Sequence, residues 1–486
     1  MRGLALLFFV KAAALALFVT PLWDVPDEVG HFALVADLAD GRGLPTPGKS
    51  VLPEDLARDW TGGRDLPAAE RWNWVAQHPP LYHLLAVPFL AGARAVTSDR
   101  HWQYRATRLL SAVSGAAALL VLFAVFWEAS SDAVFAFAAA AAFGFLPMFT
   151  HMSSGTNHDV FLALLCAAAA LFAVRLAADG RLPDALAMAV ALALAGVTKL
   201  SALVVAAPLA LLAWVWLRER GGRRILEWLA VAAMTFSLPA LWALRHYLLS
   251  GDVRLHPISH ERFSLASFAT YLRDDPVVDH TFKNFLGLIG WTGTGHGEVR
   301  WFQISGGYLA IDIALALAAA AATAAWLWKH GPRSVRPLAR AAAILAFLVS
   351  AGWIFATADG AALPKRILYS LLAGVPWLAL PWITRRAETA DKLMAASEGI
   401  FLLFAVAYFV NSWEAYAIYG SMRATNGRYF FAVLPFLGLA FLLPAAKLWK
   451  PGRMRDGVFL AVLALLAADE AAFFLFKVIP FYRGVS

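Results

Sequence analysis

Long apolar stretches separated by shorter polar ones recur along the whole chain of 486 residues. Because a membrane-spanning helix needs roughly 20 consecutive apolar residues, stretches of this length predict membrane spans. About thirteen such spans are expected on this criterion, at about 3–22, 106–127, 132–150, 157–177, 184–198, 200–217, 225–246, 306–328, 338–357, 367–384, 393–411, 429–447 and 457–478.

The composition agrees with this pattern. Hydrophobic residues make up 60% of the chain and charged residues only 15%, and the mean hydropathy is +0.63, far from the average of soluble proteins. We therefore predict an all-α polytopic membrane protein with a single transmembrane domain over residues 1–486. The lone Cys166 lies in an apolar run and predicts a core residue rather than a disulfide or a cysteine metal site.

The side of each loop follows from the basic residues. The pair of spans around "ALAGVTKLSALVV" could be one long helix, but "RLAADGR" and "RERGGRR" on either side should both be cytoplasmic, which requires two crossings. This count places the amino terminus inside the cell and two long polar loops outside, at about 23–105 and 247–303. It also places eleven of the twelve histidines outside, leaving only His330 inside. Polar outer loops alone would explain that bias, and so would an outward-facing active site.

The first outer loop begins with "WDVPDEVGHF". On a helix beginning near Pro26, the side chains of Asp27, Glu28 and His31 would share one face. A carboxylate at the rim of the bilayer can act as a general base or bind a cation. The alternative is helix capping, with Asp24 as the cap and the next two acidic residues favouring the helix dipole.

Several classes of function lack support in the sequence. No phosphate-binding loop, dinucleotide-binding turn, zinc-protease motif or serine-hydrolase elbow occurs in a usable context. The net charge of +8 is concentrated in the predicted cytoplasmic loops, as membrane topology requires. It therefore does not indicate a nucleic-acid partner.

Five motifs occur in a recognisable order: "PDEVGHF", "HPPLYHLL", "RLLSAVSGAAALLVL", "GTNHD" and "LAGVTKLSAL". In this order they resemble bacterial GT-C membrane glycosyltransferases, the superfamily of protein O-mannosyltransferases and lipid A aminoarabinose transferases. Two later motifs, "FLGLIGWTGT" and "NGRYFFAVLPFLGLAF", look closer to an uncharacterised GT-C-like subfamily of polytopic proteins. The resemblance covers most of the chain.

The resemblance implies a GT-C-like helical bundle and a glycosyltransferase. Such an enzyme moves a sugar from a polyprenyl-phosphate donor to an envelope glycan, lipid or protein acceptor, at the outer face of the cytoplasmic membrane. It also implies inversion at the sugar carbon through a single displacement. By position, Asp27 becomes the base that deprotonates the acceptor, and Glu28 the neighbour that orients the acceptor or a cation.

The resemblance further implies residues that bind the substrates. Lys199 matches the family's "tK" position and Arg428 its "GRY" position, and either cation could stabilise the charge on a leaving phosphate. His78 and Asp159 match positions near the reacting groups, and His31 is a further candidate for substrate binding. For the cations, snorkelling at a helix end is the alternative, and for Asp159 it is a plain helix cap. Lys365 and Arg366 are further candidate cations of the outer rim.

A metal requirement differs between branches of this family. The resemblance leaves open a divalent cation, Mg²⁺, Mn²⁺ or Zn²⁺, held by carboxylates of the first loop. The corresponding ligands would be Asp27, Glu28 and Asp159, with His31 as a further one.

Three other classes of function stay open at this stage. A lipid-linked glycan transporter or flippase would also carry charges within spans, although the internal repeat common in transporters is not seen. The second class is a scaffold of envelope assembly without chemistry of its own. The third is a polymerase or ligase of lipid-linked glycans. Structural pairing is expected for the four charges predicted inside spans, Lys11, Asp312, Asp469 and Glu470.

Overall fold

The computed structural model describes residues 1–46, 48–219, 224–251, 262–274, 277–287, 306–330, 337–357, 362–379, 389–419 and 426–483. Over these ranges the chain is α-helical, and an isolated bridge between Val51 and Trp72 stands in place of any strand. The predicted all-α fold class is confirmed. Much of the predicted second outer loop, residues 252–261, 275–276 and 288–303, lies outside the described residues, as does part of "FLGLIGWTGT".

The helices follow one another with short connections over most of the chain. They are α1 (Arg2–Ala14), α2 (Glu28–Ala39), α3 (Glu54–Trp60), α4 (Leu81–Val96), α5 (Arg100–Thr107), α6 (Leu109–Ser130), α7 (Ala133–Gly144), α8 (Pro147–Met152), α9 (His158–Asp179), α10 (Leu182–Gly196), α11 (Leu203–Glu219), α12 (Ile225–Ser250), α13 (Leu265–Asp274), α14 (Val277–Leu286), α15 (Gly306–His330), α16 (Pro337–Thr357), α17 (Leu363–Ala379), α18 (Thr389–Tyr419), α19 (Leu434–Leu437), α20 (Leu443–Leu448), α21 (Arg453–Phe473) and α22 (Ile479–Tyr482).

Eight helical segments of the described chain are long and apolar enough to cross a membrane. The other five predicted spans also lie on helices, which are α7, α10, α15, α16 and α17. The chain is therefore a multi-pass membrane protein. The eight segments are Arg2–Val19, Arg100–Ser130, His158–Asp179, Leu200–Arg218, Ile225–Ser250, Asp391–Ile418, Gly427–Leu448 and Arg453–Tyr482.

The uncertain pair of spans forms two helices and not one. Helix α10 ends at Gly196, and Lys199 adopts an extended backbone conformation with φ −155° and ψ 127° before a short 3₁₀ turn leads into α11. An extended residue breaks the ladder of i to i−4 hydrogen bonds that a continuous helix requires. The prediction of two separate helices here is confirmed, and the two crossings stay a prediction.

Ion pairs between distant segments agree with the predicted order of crossings. Arg175 of α9 pairs with Glu128 of α6, and Lys447 of α20 pairs with Asp391 of α18. Each of these pairs joins helix ends that the predicted thirteen spans place on the same side of the membrane. At the opposite end of the bundle, Lys365 pairs with Asp279 of α14, and the count again places both on one side. Which end faces the cell exterior stays a prediction.

The charges predicted inside spans divide into two groups. Lys11 of α1 donates to Glu470 of α21 at 2.6 Å, so the structural pairing expected for these two residues is observed. Asp312 and Asp469 make no ion pair within the part of the chain that the structure describes, and their pairing stays a prediction. Cys166 is fully buried in the main core, as expected.

Candidate functional site

The first loop leaves α1 through two residues in the left-handed region of backbone conformation. Trp23 has φ 69° and Asp27 has φ 65°. Helix α2 begins at Glu28, later than the start expected near Pro26. Asp27 occupies the cap position but makes no capping hydrogen bond through its side chain, which leaves its carboxylate for other partners.

The expected cap, Asp24, has a different partner. The Tyr482 hydroxyl of α22 donates a hydrogen bond to Oδ2 of Asp24, and Asp24 is buried with 3% of its surface exposed. The capping interpretation of Asp24 is therefore wrong: the chain turns at Trp23 and Asp27 and directs Asp24 toward the carboxyl-terminal helix.

The Asp27 carboxylate has two partners from distant parts of the chain. Its Oδ1 accepts a hydrogen bond from Nε1 of Trp74 at 2.7 Å, and its Oδ2 pairs with Nη2 of Arg428. About a quarter of the side chain, 26%, remains exposed. Asp27 is thus the most accessible carboxylate of the site.

Asp159 lies in the first turn of α9, whose N-cap is Asn157. The Asn157 side chain accepts a hydrogen bond from the Asp159 backbone N–H at 2.7 Å, so Asn157 and not Asp159 performs the capping. Oδ1 of Asp159 accepts a hydrogen bond from Nζ of Lys199 at 2.6 Å, and Oδ2 lies 3.3 Å from Nε of Arg428. Its carboxylate therefore bridges two cations.

These contacts join four charged residues from four separate segments into one row, Asp27, Arg428, Asp159 and Lys199, which we call the four-charge cluster. Signs alternate along the row, and the aromatic ring of Tyr429 lies 4.1 Å from Nζ of Lys199. Three members are buried, and Asp27 is half-buried. Buried charges are costly unless paired, and such clusters occur preferentially at functional sites.

Glu28 points to a different environment. Arg108 of the α5–α6 junction donates to both of its carboxylate oxygens, at 2.7 and 2.8 Å, and the backbone N–H groups of Trp23 and Thr156 donate at 3.0 and 2.9 Å. Arg108 also donates to backbone carbonyl groups of the segment between α1 and α2, including that of Thr20 at 2.8 Å. Glu28 therefore fastens the first loop to the bundle, and a role in orienting the acceptor stays a prediction.

Four histidines gather beside the cluster. The ring centroid of His158 lies 4.5 Å from that of His31 and 4.7 Å from that of His78, and Nδ1 of His31 lies 2.9 Å from Nε2 of His83. Burial lowers the pKa of His83 to about 3. Burial, with help from His83 and the nearby cations, also lowers the pKa of His31 well below its usual value. Both rings are thus neutral at physiological pH.

Three of these histidines, His31, His83 and His158, lie close enough to hold a metal ion. The carboxylate ligands expected from the sequence, Asp27, Glu28 and Asp159, are instead each paired with a basic side chain. A divalent cation bound by those carboxylates stays a prediction.

The two further candidate cations contact other partners. Lys365 donates to Oδ1 of Asp279 at 2.6 Å, and Nη2 of Arg366 donates to the backbone carbonyl of Phe355 at 2.7 Å. The structure shows no contact between either side chain and the four-charge cluster among the described residues.

Sequence reasoning missed Arg108, His83 and His158 as members of the site. Each lies within a quoted motif, respectively "RLLSAVSG", "HPPLYHLL" and "GTNHD". The available signal was a polar residue at the start of a helix, which also fits an interfacial anchor. Only the packing of α2, α4, α6 and α9 shows that these residues belong to the site and are not anchors at the membrane surface.

Residues 77–242 match the family model described as dolichyl-phosphate-mannose-protein mannosyltransferase. The matched stretch includes His78, Asp159 and Lys199, so over this range the family model supports the GT-C resemblance that the motifs indicate. No curated protein matches the chain.

Two solved structures are similar to the chain. Both are crystal structures of ArnT from Cupriavidus metallidurans. The apo form is 15% identical, with a TM-score of 0.34, and the match covers 90% of this chain and 77% of that one. The form bound to undecaprenyl phosphate is also 15% identical, with a TM-score of 0.38, and covers 99% of this chain and 83% of that one.

Proposed function

We propose that the chain is an integral-membrane glycosyltransferase. It would transfer a sugar from a polyprenyl-phosphate donor to a hydroxyl group of an envelope glycan, lipid or protein. The observation that carries this proposal is the four-charge cluster, in which a partly exposed carboxylate pairs with one cation and a buried carboxylate joins that cation to a second one. The family model over residues 77–242, which describes enzymes of the dolichyl-phosphate-mannose class, supports the same chemistry.

The four charges match the needs of this reaction. The acceptor oxygen attacks the anomeric carbon and its proton passes to the Asp27 carboxylate, while the bond from that carbon to the phosphate oxygen breaks. The electron pair leaves with the polyprenyl phosphate, whose new negative charge Arg428 and Lys199 would stabilise. Attack opposite the leaving group inverts the anomeric carbon, and no step here requires a metal.

Arg428 also suggests how the site is kept inactive without donor. In the structure it pairs with Asp27 and donates to the backbone carbonyl of Pro26 at 3.1 Å. A donor phosphate would compete for the guanidinium group and thereby release the carboxylate. Asp159 would hold Arg428 and Lys199 in place between turnovers. A divalent cation bound beside them would add to their positive charge.

The location follows from the charge bias of the loops. With basic clusters such as "RERGGRR" on the cytoplasmic side, the four-charge cluster faces outward from the cytoplasmic membrane. There a lipid-linked donor would reach it sideways from the bilayer. Residues 1–486 would form one domain, because members of the four-charge cluster come from both halves of the chain.

The test is the substitution Asp27→Asn. The amide keeps the shape of the side chain and can still accept the hydrogen bond from Trp74, but it cannot take up the acceptor's proton. Glycosyl transfer should fall at least about a hundredfold, within the usual range for loss of a general base. Transfer would be measured with purified protein in nanodiscs and a radiolabelled polyprenyl-phosphate sugar.

The matched control is Asp37→Asn. Asp37 lies on the same helix, α2, and pairs with Arg42 at 2.7 Å on the loop surface, so its loss should leave transfer unchanged. Near wild-type transfer by Asp27→Asn would remove this carboxylate from the mechanism. Donor movement across the bilayer without any transfer would favour a flippase instead.

A further inference from the structure

We propose that His31, His83 and His158 form a binding site for one first-row transition-metal ion, for which Zn²⁺ is the probe. One ring nitrogen from each residue lies within 4.8 Å of the other two. All three side chains are buried, with 1%, 0% and 2% of their surface exposed. Neutral imidazole is the commonest protein ligand for such ions. This site is additional to the proposed transfer reaction and does not depend on it.

The spacing of the rings suits coordination. Metal-to-nitrogen bonds of 2.0 to 2.1 Å place two ligand nitrogens roughly 3 to 3.4 Å apart. Nδ1 of His31 and Nε2 of His83 are already 2.9 Å apart. The ring centroid of His158 lies 4.5 Å from that of His31, so a small shift of this side chain would complete a three-nitrogen site.

Two of the three rings, those of His83 and His158, keep one nitrogen without a hydrogen-bond partner in the described part of the chain, whereas Nε2 of His31 lies 3.4 Å from Nδ2 of Asn157. The contact between His31 and His83 uses one nitrogen of each ring. Whichever nitrogen of His83 carries the proton, its Nδ1 is buried without a partner among the described residues, and so is Nδ1 of His158. Buried polar atoms without partners are rare in native proteins and costly. An ion bound by Nδ1 of His158 would supply the missing interaction of that ring, whereas coordination through Nε2 of His83 would leave Nδ1 of His83 unchanged.

The surroundings of His158 resemble those of a metal ligand. Its Nε2 lies 3.5 Å from Oδ1 of Asp159, and a ligating histidine almost always directs its other nitrogen at a carboxylate, a carbonyl or water. With Nε2 directed at Asp159, Nδ1 is the nitrogen left for the metal. Three protein ligands leave a fourth position for water or another ligand.

The proposed ion would join three separate elements. His31 belongs to α2 and His83 to α4, both in the first loop, whereas His158 begins the spanning helix α9. A metal bound by all three would clamp the first loop onto the bundle, because binding energy for the folded arrangement adds to its stability.

The experiment measures metal content directly. Full-length protein without a polyhistidine tag is purified in detergent, dialysed against Zn²⁺ and then against buffer, and analysed by mass spectrometry for metals. The wild type should retain about one zinc per chain, and His83→Ala should lose most of it. The matched control His101→Ala removes a histidine of the same loop whose side chain is 61% exposed, and it should retain the zinc.

Two results would overturn the inference: a folded wild type that retains no zinc, or a His83→Ala variant that retains as much as the wild type. If His83→Ala fails to fold, Co²⁺ titrated into metal-free wild type gives the answer. A nitrogen-ligated ion produces visible absorption bands that saturate at one equivalent, and their absence also rejects the site. Zinc content and glycosyl transfer are separate readouts, so zinc bound without transfer would reject only the proposed function, and transfer without zinc only this site.

Discussion

The two ends of the helical bundle handle charge in different ways. At the end that carries Arg175, ion pairs keep at least one partner in contact with solvent, and the side chains of Arg175 and Glu128 are 39% and 34% exposed. At the end that carries Asp27, the Arg108 and Glu28 side chains are 0% and 2% exposed, and Asp159 with Lys199 is nearly as buried. The first arrangement costs little and stabilises little.

The second arrangement is costly, because each buried ion loses its hydration. In a membrane protein such charges are rare and mark functional positions by default. The difference therefore separates two tasks that similar residues perform. Charges of the Arg175 end orient and solubilise the helix termini, whereas the buried pairs of the Asp27 end hold a loop in place and prepare a reactive group.

The largest difference between the two ends is expected when one partner of an ion pair is removed at each of them. Glu28→Gln leaves Arg108 buried without a counter-charge, and we expect the free energy of unfolding to fall by about 3 to 5 kcal/mol. Glu128→Gln removes the corresponding carboxylate at the other end and should cost about 0 to 1 kcal/mol. Denaturant titrations of both variants in the same detergent measure the difference.

Equal losses in the free energy of unfolding for the two variants would show that ion pairs at the two ends do not differ in their contribution to stability. A second measurement separates folding from chemistry at Glu28. The folded fraction of Glu28→Gln should bind donor like the wild type, because Glu28 contacts Arg108 and backbone N–H groups rather than the four-charge cluster.

The next effect concerns donor binding at the Asp27 end. Charge-assisted contacts to phosphate are worth about 1.5 to 3 kcal/mol each, so Arg428→Ala should weaken binding of a polyprenyl-phosphate sugar by about tenfold to a hundredfold. Arg428→Lys keeps the charge but loses the planar fork, and should lose part of this affinity. Binding of a radiolabelled donor in nanodiscs measures both.

Arg175→Ala at the other end is the control, and its donor affinity should equal that of the wild type. Unchanged donor binding in both Arg428 variants would reduce this residue to an anchor for Asp27. That result would also weaken the proposal that the cluster receives a lipid phosphate.

The sequence predicted the elements better than their contacts. Apolar length alone identified all the helices that carry predicted spans, and loop charge correctly separated α10 from α11. The motifs also selected Asp27, Asp159, Lys199 and Arg428, which the structure joins although they lie up to 401 positions apart. Motif order indicated that these residues belong together, but no local pattern could show which atoms meet.

Sequence patterns could not predict the partners of two groups of acidic residues in the first loop. Glu28 and Asp27 are adjacent, yet the left-handed conformation of Asp27 directs their carboxylates to different cations, Arg108 and Arg428. Helical periodicity had placed both on one face. Similarly, Asp24 has the properties of a cap, but its hydrogen bond comes from Tyr482 at the far end of the chain, which only tertiary packing determines.

The smallest expected effect is a pH dependence that originates at Asp24. Burial raises the pKa of Asp24 to about 6, although the hydrogen bond from Tyr482 opposes this shift. The unfolded carboxyl group titrates near its ordinary value of about 3.9. Between these values the folded state holds the extra proton, so the contribution of Asp24 is fully present below the unfolded pKa and is lost as the pH rises through 6.

The free energy of unfolding should therefore fall by about 1 to 2 kcal/mol between pH 4.5 and 6.5 through this group alone. Other groups titrate in the same range, so the wild type must be compared with Asp24→Asn, which keeps the shape of the side chain but has no proton to lose. The difference between the two curves isolates Asp24. A difference that stays constant across this range would show that Asp24 does not titrate there, and one that grows in favour of the wild type as the pH rises would show that its carboxylate is stabilised in the charged form. In that second case Asp24 would belong with the paired charges of the Asp27 end rather than stand apart from them.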